Sequence, residues 1–148
     1  MASFITYNDL ASIPAFDDSA AAPAPVVRFR QRIRDADGVL ICSPEYAFGV
    51  PGALKNAIDW TVSSGELAGK PLSLITAATG GDKAHAAWLL TFTALSSQPA
   101  EGAALLIPFI RSKMDGAGNI KDAATIAAIG NTIHTLMEVI KTSKEETL

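Results

Sequence analysis

The residues best suited to do chemistry lie together in Ser43-Pro44-Glu45-Tyr46-Ala47-Phe48-Gly49-Val50-Pro51-Gly52-Ala53-Leu54-Lys55-Asn56-Ala57-Ile58-Asp59-Trp60, a stretch joining an apolar run to a helical pattern. Gly49 and Gly52 let backbone approach a ligand closely, and N–H groups that follow a strand can donate to the carbonyl oxygens and nitrogens of a flat ring. Tyr46 and Phe48 supply aromatic walls. The chemistry on offer is therefore the binding and orienting of a planar, amphipathic molecule. Judged on the residues alone, a capped strand-to-helix turn with Tyr46 packed in the core serves equally well. A second loop, Thr79-Gly80-Gly81-Asp82, closes another apolar run. Gly-Gly by itself signals no more than a turn.

The remaining reactive side chains offer little. Cys42 is the only cysteine, which excludes an internal disulfide and a Cys-rich zinc site. Its place in the run Val39-Leu40-Ile41-Cys42 predicts a buried small hydrophobe rather than a nucleophile. His85 and His134 stand far apart with no carboxylate at ligand spacing, so both are expected on helix surfaces and no metal site is expected. Arg28, Arg30, Arg32 and Arg34 read as a solvated helix face. A net charge of -3 gives no long-range attraction to nucleic acid or anionic lipid, and neither is an expected partner. The longest apolar run, Ala103 to Ile110, is broken by Pro108 and falls short of the roughly 20 residues that span a bilayer. Met1 to Leu10 has neither a basic start nor an apolar core of the export type, which makes the cytoplasm the expected location.

The elements that must position these loops follow from periodicity. With 148 residues, 49% hydrophobic and 18% charged, the chain fits one globular domain over its whole length, 1–148. Ser3 to Tyr7 reads as a short strand, and proline-rich Ser12 to Pro25 as a loop. A helix starts at Val26, with Val26, Phe29, Ile33 and Ala36 on one face. Gly38 to Ser43 is a strand buried on both faces, and Pro51 opens a helix to about Ser64. Leu72 to Ala78 is a third strand, Asp82 caps a helix from Lys83 to Ser97, and Ala104 to Phe109 is a fourth strand. Asp115 to Asn119 is turn chemistry, before a last helix striped with Ile126, Ile129, Ile133, Leu136, Met137 and Ile140. Strict alternation of apolar strands and helices predicts an α/β fold, a parallel sheet covered on both faces with ligands at the carboxyl ends of its strands.

Ser43 to Trp60 resembles the flavin-binding signature of the NADPH-dependent FMN reductase family. There a strand ends in Pro-Glu-Tyr, a few small residues follow, and Pro-Gly-x-Leu-Lys-Asn-Ala-Ile/Leu-Asp-Trp opens the next helix; every fixed position is matched here. Leu74 to Gly81 resembles the family's next strand and its Gly-Gly loop, and the layout agrees from about Phe4 to Lys141. The resemblance implies a flavodoxin-like, three-layer αβα sandwich with four strands in this chain. It implies FMN and NAD(P)H as cofactors, the flavin ring held by Pro44, Glu45, Tyr46, Ala47 and Phe48 with Thr79, Gly80 and Gly81 beside it. The implied reaction is hydride transfer from NAD(P)H through FMN to an acceptor such as flavin or quinone. Because the cofactor carries the difficult chemistry, no catalytic side chain is expected. Lys55, Asn56 and Asp59 are expected to hold the helix start and a subunit contact. The family also implies a homo-oligomer assembled through Pro51 to Ser64, with Trp60 at the interface.

The chain departs from the family in two places. Many members carry Asn where Ala47 stands. The family's first strand and its Gly-Ser-x-Arg-x-x-Ser type phosphate loop have no counterpart in these 148 residues. The chain is therefore expected to be N-terminally truncated relative to the family, to bind FMN weakly and to leave unpaired strand edges. The alternative function is a non-catalytic flavodoxin-like remnant acting as a binding or assembly module.

Overall fold

Apolar runs separated by a helix's length of sequence return to a sheet through crossovers, which makes their strands parallel. The computed structural model, which describes residues 2–19 and 21–146, has this form. Helix α1 (Ala24–Asp35) leads to β1 (Val39–Ser43), α2 (Gly52–Asp59), β2 (Leu72–Ala77), α3 (Asp82–Ala94), β3 (Ala104–Ile107) and α4 (Ala123–Glu145). Single 3-10 turns occupy Leu10–Ser12 and Ile110–Lys113. The sheet has the order β1-β2-β3, all parallel, with Ile41 beside Leu74 and Leu74 beside Ala104. Its layers are those of a flavodoxin-like sandwich, with three strands rather than the four expected.

Side chains alternate across a strand, and the two faces are covered unequally. Ile41, Leu72 and Leu74 join Val26, Phe29 and Ile33 of α1, Ala57 and Ile58 of α2, and Trp88 and Phe92 of α3 in one core. On the other side α4 lies over β2 and β3, burying Thr125, Thr132 and Leu136. That leaves the β1 part of this face uncovered, and Cys42 is exposed there rather than buried as expected. Helix α4, 23 residues at mean hydropathy 1.2, is long and apolar enough to cross a bilayer by length and composition alone, and here it packs on β2 and β3.

Five other expectations change. Ser3 to Tyr7 forms no strand. A β-prone segment becomes a strand only where a ladder partner meets it, and Tyr7 instead packs on Phe29 of α1, ring centroids 5.0 Å apart, with Phe4 and Ile5 exposed. The helix after the first loop stops at Asp59, not Ser64, and β3 stops at Ile107 rather than Phe109. Asp82 is the first residue of α3, not its side-chain cap. Two of the four arginines are committed to internal partners rather than to solvent alone: half-buried Arg30 donates from Nε to Trp60 O at 2.8 Å, and Arg34, though exposed, pairs with buried Glu66 at 2.7 Å.

Trp60 is only 2% exposed, within its own subunit rather than at an interface. Phe16 meets its ring edge-on at 5.1 Å, and its Nε1 donates to Pro14 O at 2.9 Å. Asn56 completes the clasp. Its Oδ1 accepts from Phe16 N–H at 2.8 Å and its Nδ2 donates to Pro14 O at 2.9 Å. The Asn-x-x-x-Trp part of the signature thus fastens the N-terminal loop to α2, while Lys55 and Asp59 form an i,i+4 ion pair.

Candidate functional site

The first loop turns over four residues. Tyr46 N–H donates to Gly49 O, and Gly49 N–H to Tyr46 O, both at 2.9 Å. Ala47 and Phe48 between them have φ of 49° and 58°, the two positive values that define a type I′ turn. Neither residue type favours that region, whereas Asn tolerates it. An Asn at position 47, which the family resemblance leads one to expect, would fit this backbone better than Ala. The turn lifts both aromatic rings off the core, leaving Tyr46 63% and Phe48 82% exposed. Tyr46 is not the packed core residue that a plain turn would make of it.

The ring-binding chemistry expected of this loop needs outward N–H donors. Tyr46 and Gly49 satisfy each other, but Ala47 and Phe48 N–H donate to no group among the described residues. The same holds for Thr79, Gly80 and Gly81 N–H in the second loop. Five backbone donors from two neighbouring strand ends, flanked by exposed aromatic rings, fit the carbonyl and nitrogen edge of an isoalloxazine.

Glu45 ties the two loops together. Its Oε2 accepts Ala84 N–H at 3.0 Å, capping α3 from across the sheet in the place expected for Asp82. A carboxylate at a helix N-terminus is favoured both by the dangling N–H groups and by the helix dipole. A Cβ on Gly80 would only make ordinary contact with Glu45 Oε1, at 3.5 Å. Gly81 is fixed more strictly. Its φ is +99°, and a Cβ would come within 2.8 Å of Leu106 Cδ1, so a side chain meets both backbone strain and a clash.

Behind the loops the packing is polar and satisfied. Trp88 Nε1 donates to Ser43 Oγ at 2.9 Å, and Ser43 Oγ donates to Pro44 O at 2.9 Å, setting the strand end before the turn. His85 was expected on the surface but is half-buried, its Nδ1 2.8 Å from Thr76 Oγ1. Burial lowers its pKa and favours the neutral ring. His134 is exposed on α4. A third loop, absent from the sequence reading, joins the site after β3. Phe109 N–H donates to Thr79 O at 3.0 Å and Ile110 N–H to Ala78 O at 3.2 Å. Only the positive φ of Phe109, 54°, marks it, and no residue pattern announces that.

The structure therefore brings Pro44, Glu45, Tyr46, Ala47 and Phe48 together with Thr79, Gly80 and Gly81 at adjacent carboxyl ends of β1 and β2. In the sequence comparison, the family profile of the NADPH-dependent FMN reductases matches residues 2–111. The chain belongs to that family. A quinone reductase of Escherichia coli is 44% identical over 77 residues, an alignment taking in 48% of this chain and 41% of that one. The chain thus spans less than half the length of that relative. An NAD(P)H-dependent FMN reductase of Pseudomonas aeruginosa is 34% identical over 80% of this chain and 68% of its own. Among solved structures, FerB, the flavoenzyme NAD(P)H:(acceptor) oxidoreductase of Paracoccus denitrificans, superposes with a TM-score of 0.67 at 23% identity, over 90% of this chain and 78% of that one. That likeness supports the fold.

Proposed function

We propose that this chain is a flavin-dependent NAD(P)H oxidoreductase, with FMN as its cofactor and a flavin or quinone as acceptor. The observation that carries this reading is the pair of loops, Pro44–Phe48 and Thr79–Gly81, bridged by Glu45 and with five backbone donors that no group among the described residues takes up. The names of the relatives support the same class. Bound FMN supplies a two-electron relay, so that NAD(P)H, a quinone and a proton give NAD(P)+ and the hydroquinone. The protein binds and orients. Backbone N–H groups hold the polar edge of the ring, the exposed rings of Tyr46 and Phe48 shield its faces, and Glu45 fixes one loop against the other. No side chain need exchange a proton with substrate. With FMN and naphthoquinone supplied, the purified chain is expected to oxidise NADH faster than free FMN does, one NADH per hydroquinone formed. A rate equal to that of free FMN rejects the reading and favours the remnant.

A homo-oligomer in the cytoplasm belongs to this proposal. The nicotinamide pool there supplies the reductant, and β1 presents an edge without a ladder partner among the described residues. Unpaired edges invite pairing with another chain. The Trp60 ring is already committed inside the subunit, so the β1 edge, with exposed Cys42 beside it, is the better contact. Light scattering at micromolar concentration is expected to report a dimer or larger, and a stable monomer contradicts it.

A further inference from the structure

We propose that Phe109 binds the electron acceptor, forming an apolar wall for a flat quinone ring on the β3 side of the site. This rests on the oxidoreductase reading above. Phe109 is 65% exposed and sits in the left-handed region at φ 54°, ψ 37°, where a bulky side chain is an outlier. Its backbone is held there from both sides. The N–H donates to Thr79 O at 3.0 Å, while the C=O accepts from Ser112 N–H at 3.0 Å and from Ser112 Oγ at 2.8 Å. A conformation so over-determined around an exposed aromatic ring is the kind of strain found at ligand clamps.

Placement points the same way. The exposed aromatic residues are Phe4 and Phe16 in the N-terminal segment, then Tyr46, Phe48 and Phe109. The last three stand on loops beyond the carboxyl ends of β1 and β3, where open α/β sheets receive ligands. The loop after β2 lies between them and is bonded to Phe109 through Thr79. Phe109 differs from the flavin loops in one respect. Its N–H and C=O are both used internally, so it offers a ligand only the ring. A contact without hydrogen bonds suits an acceptor recognised by flatness and apolar area, and suits the polar edge of a flavin poorly.

The test uses the purified chain with saturating FMN and NADH, and naphthoquinone as acceptor. Phe109→Ala is expected to raise the naphthoquinone KM roughly tenfold, with kcat little changed. Riboflavin affinity and the ferricyanide rate stay as they were, because ferricyanide has no ring to stack. Phe109→Tyr restores the KM. Phe109→Gly, which relieves the left-handed strain, is expected to show the same rise in KM with no loss of melting temperature, separating binding from folding. An unchanged naphthoquinone KM overturns the proposal, and so does an equal loss with ferricyanide or a fall in riboflavin affinity. Absence of flavin binding by the unaltered chain instead overturns the oxidoreductase reading itself.

Discussion

Riboflavin and FMN are expected to bind this chain with dissociation constants within about tenfold of each other. Hydrogen bonds to a charged group contribute roughly 1.5–3 kcal/mol each. Two or three of them on a phosphate separate the two ligands by several powers of ten, at about 1.4 kcal/mol per factor of ten. Two of the helix N-termini that could supply such donors already carry a carboxylate. The carboxylate of Glu45 sits on α3 through Ala84 N–H, and that of Asp122 on α4 through Thr125 N–H. Helix α1 opens on Pro23-Ala24-Pro25, which removes donors where a phosphate would need them. Of the clustered arginines, Arg30 is committed to Trp60 and Arg34 to Glu66. Quenching of flavin fluorescence on titration reads both constants. Tight FMN binding with riboflavin a thousandfold weaker would show a phosphate site that this account lacks.

Glu45 should matter more to flavin affinity than any side chain that touches the ring. Glu45→Ala is expected to weaken riboflavin binding by roughly ten- to a hundredfold, since one charge-assisted bond of about 1.5–3 kcal/mol couples the two loops. Glu45→Gln keeps an acceptor oxygen for Ala84 N–H and is expected to lose less than about a third of that free energy. Hydrogen exchange at the Ala84 amide gives the independent readout: faster in Glu45→Ala, near normal in Glu45→Gln. If both variants bind riboflavin like the parent chain, the carboxylate does not set the separation of the loops.

Much of the fold was legible because parallel strands buried on both faces read as unbroken apolar runs. Leu72 to Ala77 is of that kind, while Val39 to Ser43 reads the same in sequence but is covered on one face only. The Ser3 to Tyr7 segment misled for a related reason, since β propensity reports the fit of side chains to a pleated surface and not the presence of a partner edge. Cys42 misled because its run says that β1 is apolar but not that α4 stops short of covering it. The two ring loops were legible from the signature. The hidden parts are long-range: Glu45 meets Ala84 across 39 positions, and Phe109 meets Thr79 only after β3 has paired with β2. His85 likewise becomes half-buried only when α3 lies on Thr76. Contacts of this sort leave no periodic trace, and the turn at Ala47 and Phe48 uses residue types that do not advertise positive φ.

The claim that a flavin ring sits on the two bridged loops is tested most directly by an amide-resolved NMR titration of the chain with riboflavin, which removes the phosphate from the question. The largest shifts are expected at Glu45, Tyr46, Ala47 and Phe48 and at Thr79, Gly80 and Gly81, saturating together. A cavity of about 330 Å³ lies elsewhere, lined by Arg34, Asp37, Lys70 and Lys144, where Lys144 pairs with Asp37 and Lys70 donates to Ala36 O. Shifts gathered around that cavity, or spread evenly with none at the two loops, would contradict the account.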